Sequence, residues 1–150
     1  MERTMVLMIG IPASGKSMFY QNKLSKDFIR VNLDTLKTRD RENELIDNCF
    51  SEGKSFVIDD TNVTKYLRQG YIGWALHHGY RVVGYFMRSR VKECVSRNRE
   101  RTGAARIPDT AIASMSNKLQ LPSWDEGFDE LYFVEIRDGD FTVSEWREDK

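Results

Sequence analysis

Eight consecutive residues, Gly10-Ile11-Pro12-Ala13-Ser14-Gly15-Lys16-Ser17, fit the pattern G-x-x-x-x-G-K-[ST]. They lie between an apolar run, Met5-Val6-Leu7-Met8-Ile9, and a helix-compatible segment from Ser17 onward, the strand–loop–helix setting in which this pattern holds phosphate. Its glycines allow dihedrals that other residues avoid, so successive backbone N–H groups converge on a concavity that favours anions. The helix that follows adds the positive end of its dipole. Gly10, Ala13, Ser14, Gly15, Lys16 and Ser17 are therefore the expected nucleotide-binding residues, with Lys16 spanning the β- and γ-phosphates of ATP and the Ser17 hydroxyl ligating Mg²⁺.

Phosphoryl transfer asks for three more groups. A carboxylate at the end of the Phe56-Val57-Ile58 run would hold a metal-bound water; Asp60 or Asp59 can serve, and the bland alternative is a turn-forming Asp-Asp-Thr. Asp34, at the tip of the strand after the phosphate-loop helix, can take the proton of an attacking hydroxyl, unless it is spent as a helix or turn cap. Positive charge for the transferred phosphoryl is offered by Arg97, Arg99, Arg101 and Arg106. Arg97 and Arg101 are four apart and share a helix face, as a lid requires, while Arg99 points elsewhere and suits an exposed basic face.

These residues need a frame to bring them together. Strands are expected at about Thr4 to Ile9, Phe28 to Asn32, Ser55 to Ile58, Arg81 to Met87, Leu131 to Ile136 and Phe141 to Glu145, the last two around the turn dipeptide Asp138-Gly139. Helices are expected at about Gly15 to Ser25, Asp40 to Glu52, Thr64 (its cap) to His78, Val91 to Arg101 and Pro108 to Leu119, with Thr102 to Arg106 a mobile loop. Alternating strands and helices imply one α/β domain over residues 1–150, a central parallel sheet flanked by helices. Ligands bind outside the carboxyl ends of such strands, where the phosphate loop, Asp34, Asp59-Asp60-Thr61-Asn62 and Arg88-Ser89-Arg90 all fall.

Composition narrows the partners. With 23 basic and 23 acidic residues the net charge is zero, which argues against coating nucleic acid by bulk electrostatics. Arg81 to Arg106 carries eight bases and two acids, a local +6 suited to gripping phosphates at one place, and Ser123 to Lys150 carries three bases and ten acids. No apolar run approaches a membrane span, so a cytoplasmic protein is expected. Cys49 and Cys94 lie outside any metal-binding spacing and are expected as buried thiols on helices. Tyr66, Tyr71 and Trp74 could stack a base, though the last two suit packing better. Oligomeric state is left open.

With those motifs in place the chain resembles the phage-type polynucleotide 5′-hydroxyl kinases and the P-loop kinases around them. Gly-Ile-Pro-Ala-Ser-Gly-Lys-Ser is close to that family's Gly-x-Pro-Gly-Ser-Gly-Lys-Ser; Val31-Asn32-Leu33-Asp34 and Asp60-Thr61-Asn62 are similar to its second and third strand ends. Arg97-Asn98-Arg99-Glu100-Arg101 followed by Arg106-Ile107-Pro108 is similar to its lid, and Pro122 to Asp129 to the segment that closes its kinase domain. The resemblance implies a P-loop NTPase fold with an arginine-bearing lid, Lys16, Asp34, Arg97 and Arg101 as catalytic residues, and Arg97 and Arg101 on the donor phosphates. It further implies Asp60 at an arginine or the metal water, Asn62 in the acceptor pocket, and a nucleic-acid 5′-OH end as acceptor for the γ-phosphate of ATP. For the family's substrate-gripping arginine this chain offers Lys37, with Thr38 and Arg39 beyond it. A small-molecule kinase for a nucleoside, sugar or antibiotic, and a nucleotide-binding regulatory domain, are the alternative readings.

Overall fold

The computed structural model describes residues 2–148. Its spine is β1 (Thr4–Ile9), buried at every position. Met5, Leu7 and Ile9 pack with Ile46, Phe50, Phe56, Ile58 and Ile72 on one face, and Val6 and Met8 with Phe19, Tyr20 and Leu24 on the other. An unbroken apolar run is what a strand covered on both faces requires. Each large side chain so buried contributes roughly 1.5–3 kcal/mol.

The strand order is β2-β3-β1-β4-β5-β6. β2 (Ile29–Val31), β3 (Phe56–Ile58), β1, β4 (Arg81–Met87) and β5 (Glu130–Arg137) run parallel. β6 (Asp140–Glu145) returns antiparallel at the edge, after a turn in which Asp138 and Gly139 take left-handed backbone at φ 51° and 77°. The expected α/β architecture is thus formed. Chain order reverses about β1, which opens a crevice at the carboxyl ends of β1 and its neighbours.

One face of the sheet is covered by α3 (Arg39–Glu52) and α4 (Lys65–His77), capped by the side chains of Thr38 and Thr64. The other carries α1 (Lys16–Phe19), which continues as a π-helical turn, Tyr20–Leu24. A plain helix to Ser25 was the expectation. Instead the Ser25 N–H reaches back five residues to the Tyr20 carbonyl at 2.9 Å, and the Tyr20 hydroxyl donates to the Phe28 carbonyl at 2.7 Å. α2 (Leu33–Leu36) is a single turn with no helical periodicity to announce it.

α5 (Val91–Arg99) and α6 (Asp109–Lys118) pack beside the phosphate loop through Ile11, Ala13, Val63, Cys94 and Ile112. α5 stops two residues short of the expected Arg101, and the segment read as a loop holds a short 3₁₀ turn, Gly103–Ala105. Cys49 and Cys94 are buried free thiols, as expected. Among the described residues no helix is long and apolar enough to cross a membrane.

Candidate active site

The loop between β1 and α1 owes its shape to sterics. A Cβ on Gly10 would come within 2.5 Å of Ser14 Oγ, and Gly15 sits at φ 101°, where a Cβ would meet Ile136 Cδ1 at 2.9 Å. Ala13 is also left-handed, at φ 65°, a conformation costing about 1–2 kcal/mol for an L-residue. Its carbonyl is held by Arg97 Nε at 2.8 Å. The Gly10 N–H donates to the Thr61 carbonyl at 3.0 Å and the Ile11 N–H to Ser89 Oγ at 3.1 Å.

Inside this loop Lys16 Nζ donates to the carbonyls of Gly10 (3.0 Å) and Ile11 (2.9 Å). Burial lowers its pKa to about 8; Asp59 and Cys94 oppose the shift, and the Arg101 charge adds to it. The Ser14 hydroxyl is buried and has no partner, a donor suited to a phosphate oxygen.

Ser17 Oγ donates to Asp59 Oδ2 at 3.2 Å, and the Asp59 side chain is 1% exposed with its Oδ1 unpartnered. This corrects the placing of Asp60 at the metal: Asp59 is the carboxylate beside Ser17. Along an extended strand neighbours point to opposite faces. Val57, and hence Asp59, faces α1, whereas Ile58 and Asp60 face α3 and α4. Arg30, which sequence reasoning did not single out, donates from Nε to Asp59 Oδ2 (2.7 Å) and from Nη2 to Ser17 Oγ (2.8 Å). One serine oxygen and one aspartate with a free oxygen, joined by the phosphates of a nucleotide when one is bound, would suit Mg²⁺, which takes few protein ligands. Among the described residues there is no cluster of three or more His, Cys, Asp or Glu that could hold a metal ion.

Asp60 is turned toward α2 instead. Its Oδ1 accepts from the Leu33 N–H at 3.0 Å. Burial pushes its pKa up, the Leu33 N–H opposes this, and the neighbouring Glu42 carboxyl raises it further. Asn32 Nδ2 donates to the Asp59 carbonyl at 2.6 Å, while Asn32 Oδ1 accepts from the Thr35 N–H at 3.0 Å and so caps α2. Asp34 is therefore not the cap; it stands exposed in the first turn of α2. Lys37 is exposed at the end of α2, at φ 77°. Thr38 is spent capping α3, and Arg39 donates to Glu42 Oε1 and to the Tyr71 hydroxyl, each at 3.0 Å.

Asn62 requires a second correction. It was expected in the acceptor pocket, but its side chain is buried, donating to the Met8 carbonyl at 2.7 Å. Its own carbonyl accepts from Arg68 Nη1 at 2.8 Å, and the fully buried Arg68 pairs with Glu126 through Nε (2.8 Å) and Nη2 (3.2 Å). This chain of contacts ties the end of β1 to the segment after α6. Tyr71 and Trp74 pack against the core, and Tyr66 is exposed.

Arg97 and Arg99 lie on α5, whereas Arg101 falls beyond its end and does not share a helix face with Arg97. Arg97 braces the phosphate loop, Arg99 pairs outward with Asp109 at 3.2 Å, and Arg101 is exposed with Nη1 3.4 Å from the Ala105 carbonyl. Asn98, wholly buried, clasps the Ile107 main chain by donating from Nδ2 to its carbonyl (2.6 Å) and accepting its N–H at Oδ1 (3.1 Å). The loop that bears Arg101 and Arg106 is closed by that clasp.

A family model described as an AAA domain matches residues 37–122, more than half of the chain. The chain belongs to this family. The matched span starts at Lys37, at the end of α2, and runs to Pro122, beyond α6. The chain is 30% identical over 140 residues to a protein of Acanthamoeba polyphaga mimivirus named as a bifunctional polynucleotide phosphatase/kinase, covering 89% of this chain and 33% of that one. It is 28% identical over 150 residues to the bifunctional polynucleotide phosphatase/kinase of Schizosaccharomyces pombe, covering 95% and 37%. It thus spans about a third of the length of these relatives. The fold is shared with the AvrRxo1-ORF1:-ORF2 complex with ATP (TM-score 0.73, 14% identity, 95% of this chain and 57% of that chain). A gluconokinase from Sinorhizobium meliloti 1021 also shares it (TM-score 0.61, 13% identity, 88% and 82%).

Proposed function

We propose that this domain is a kinase that moves the γ-phosphate of ATP to the 5′-hydroxyl of a DNA or RNA end. The observation that carries the reading is the division of labour at the end of β3: Asp59 binds Ser17 of the phosphate loop, while its neighbour Asp60 binds the first amide of α2, the helix that bears Asp34. Donor side and acceptor side hang from two consecutive residues.

In this reading the main-chain amides of the loop, Ser14 Oγ and Lys16 hold the triphosphate, and Lys16 exchanges the Gly10 and Ile11 carbonyls for phosphate oxygens. Ser17 and Asp59 hold Mg²⁺, which when bound neutralises charge on the phosphates. Asp34 accepts the proton of the attacking hydroxyl. Arg97 keeps the loop in shape from Ala13, and Arg101 brings its guanidinium toward the phosphoryl from the lid. Lys37, exposed and close in sequence to Asp34, is the cation for the acceptor's own phosphate, since Arg39 is engaged by Glu42 and Tyr71. The names of the two relatives support a polynucleotide as acceptor.

The test is incubation with γ-labelled ATP and 5′-hydroxyl oligonucleotides. Label is expected on the 5′ end, and Asp34→Asn is expected to lower the rate by about 10²-fold or more. Transfer undiminished in that variant removes Asp34 as the base. Transfer only to small hydroxyl compounds makes the domain a small-molecule kinase, and tight ATP binding without any acceptor makes it a regulatory nucleotide receptor.

A further inference from the structure

Asp59 is buried, and a buried carboxylate needs a counter-charge. Arg30 supplies it. From β2, where it sits in register with Val57 and so on the α1 side of the sheet, its guanidinium reaches Asp59 Oδ2 at 2.7 Å and Ser17 Oγ at 2.8 Å. The Arg30 side chain is 29% exposed, so it has a route to solvent, and the Tyr20 ring lies 6.0 Å from its guanidinium carbon. Asp59 Oδ1, meanwhile, has no partner.

The geometry points to Arg30 as a built-in stand-in for the divalent cation: its guanidinium neutralises Asp59 and aims Ser17 while the metal is away, and must leave those two oxygens for the metal to enter. This rests on the reading of Ser17 and Asp59 as metal ligands. Two cations compete for Ser17 Oγ and for the charge of one carboxylate, so the metal's apparent affinity is reduced by the fraction of chains in which Arg30 is still in place. In return the site is pre-shaped and the empty chain is spared an uncompensated buried charge.

The test titrates Mn²⁺ alone into the 150-residue chain, following free Mn²⁺ by electron paramagnetic resonance, with thermal melts of the same samples. Arg30→Met is expected to bind Mn²⁺ about tenfold more tightly than the parent, to melt lower without metal, and to gain more from Mn²⁺. Arg30→Gln, which keeps a polar group near Ser17, is expected to shift in the same direction and serves if the methionine variant does not fold. Asp59→Asn is expected to abolish binding. Equal or weaker Mn²⁺ affinity in the Arg30 variants, with Asp59→Asn still abolishing it, overturns the stand-in role and leaves the metal site intact. Mn²⁺ binding that is indifferent to Asp59→Asn overturns the metal-site reading and the stand-in role with it.

Discussion

Replacing Asn98 by alanine isolates what holds the lid. Asn98 is 0% exposed and its side chain makes both of its hydrogen bonds to a single residue nine positions on, the Ile107 carbonyl and N–H. Asn98→Ala strands both main-chain groups, and each buried group left unpaired costs about 1–3 kcal/mol. Ile107 is only partly buried, so water can recover some of this. A loss of about 2–3 kcal/mol is expected, or a fall in Tm of roughly 5–10 °C at this chain length. Urea unfolding followed by tryptophan fluorescence measures it. Because the clasp closes the loop bearing Arg101 and Arg106, labelled-phosphate transfer should fall by about tenfold or more even where the variant is fully folded. Asn98→Asp keeps the acceptor for the Ile107 N–H but sets a carboxylate against the Ile107 carbonyl, and should be at least as damaging. A stability change within about 0.5 kcal/mol, the range of exposed-surface substitutions, would refute the argument.

Lys16, lowered by burial to about 8, should make nucleotide affinity pH-dependent. Phosphates favour the ammonium, so binding takes up a proton once the free protein's Lys16 begins to lose its own; affinity is expected to be level below about pH 7 and to weaken by up to about tenfold per pH unit above 8. Calorimetry in two buffers of different ionisation enthalpy reads that proton uptake, and its absence would count against the loop's desolvation of Lys16. Asp60 gives the opposite kind of test. Its folded pKa is raised, so the native chain holds this proton to higher pH than the unfolded chain does, and stability is lost as pH rises from about 4 through the raised native value. Asp60→Asn keeps an acceptor for the Leu33 N–H, and its amide can donate to Glu42; melts at pH 8 should show equal or greater stability and a flatter pH profile, and a clear loss would show that the charged carboxylate is what the fold uses.

Much of the donor side was legible because its determinants are contiguous. The glycine positions, the apolar run before them and the helix after them are set by local sterics, and β1 and β4 begin and end where the residue types say. What escaped was set by parity and by distance. Phe56, Val57 and Ile58 are all apolar and all buried, so the sequence does not say which face each takes, and the choice between Asp59 and Asp60 turns on that alone. Four residues are too few to display a helical period, which hid α2 and the role of Asn32 as its cap. Asn62 and Arg30 act through Met8 and Asp59, 54 and 29 positions away, and nothing local marks either contact. Asn98 belongs to the quoted motif, yet only its partner Ile107 reveals why that residue type is needed.

The linkage from Glu126 through Arg68 to Asn62 and Met8 means that the nucleotide-binding end is not a self-sufficient N-terminal cassette. A truncation that stopped after α6 would delete the carboxylate and abandon a wholly enclosed guanidinium directly beneath the first strand's exit. The cradle therefore depends on the segment after α6 being in place, not on its own loop alone.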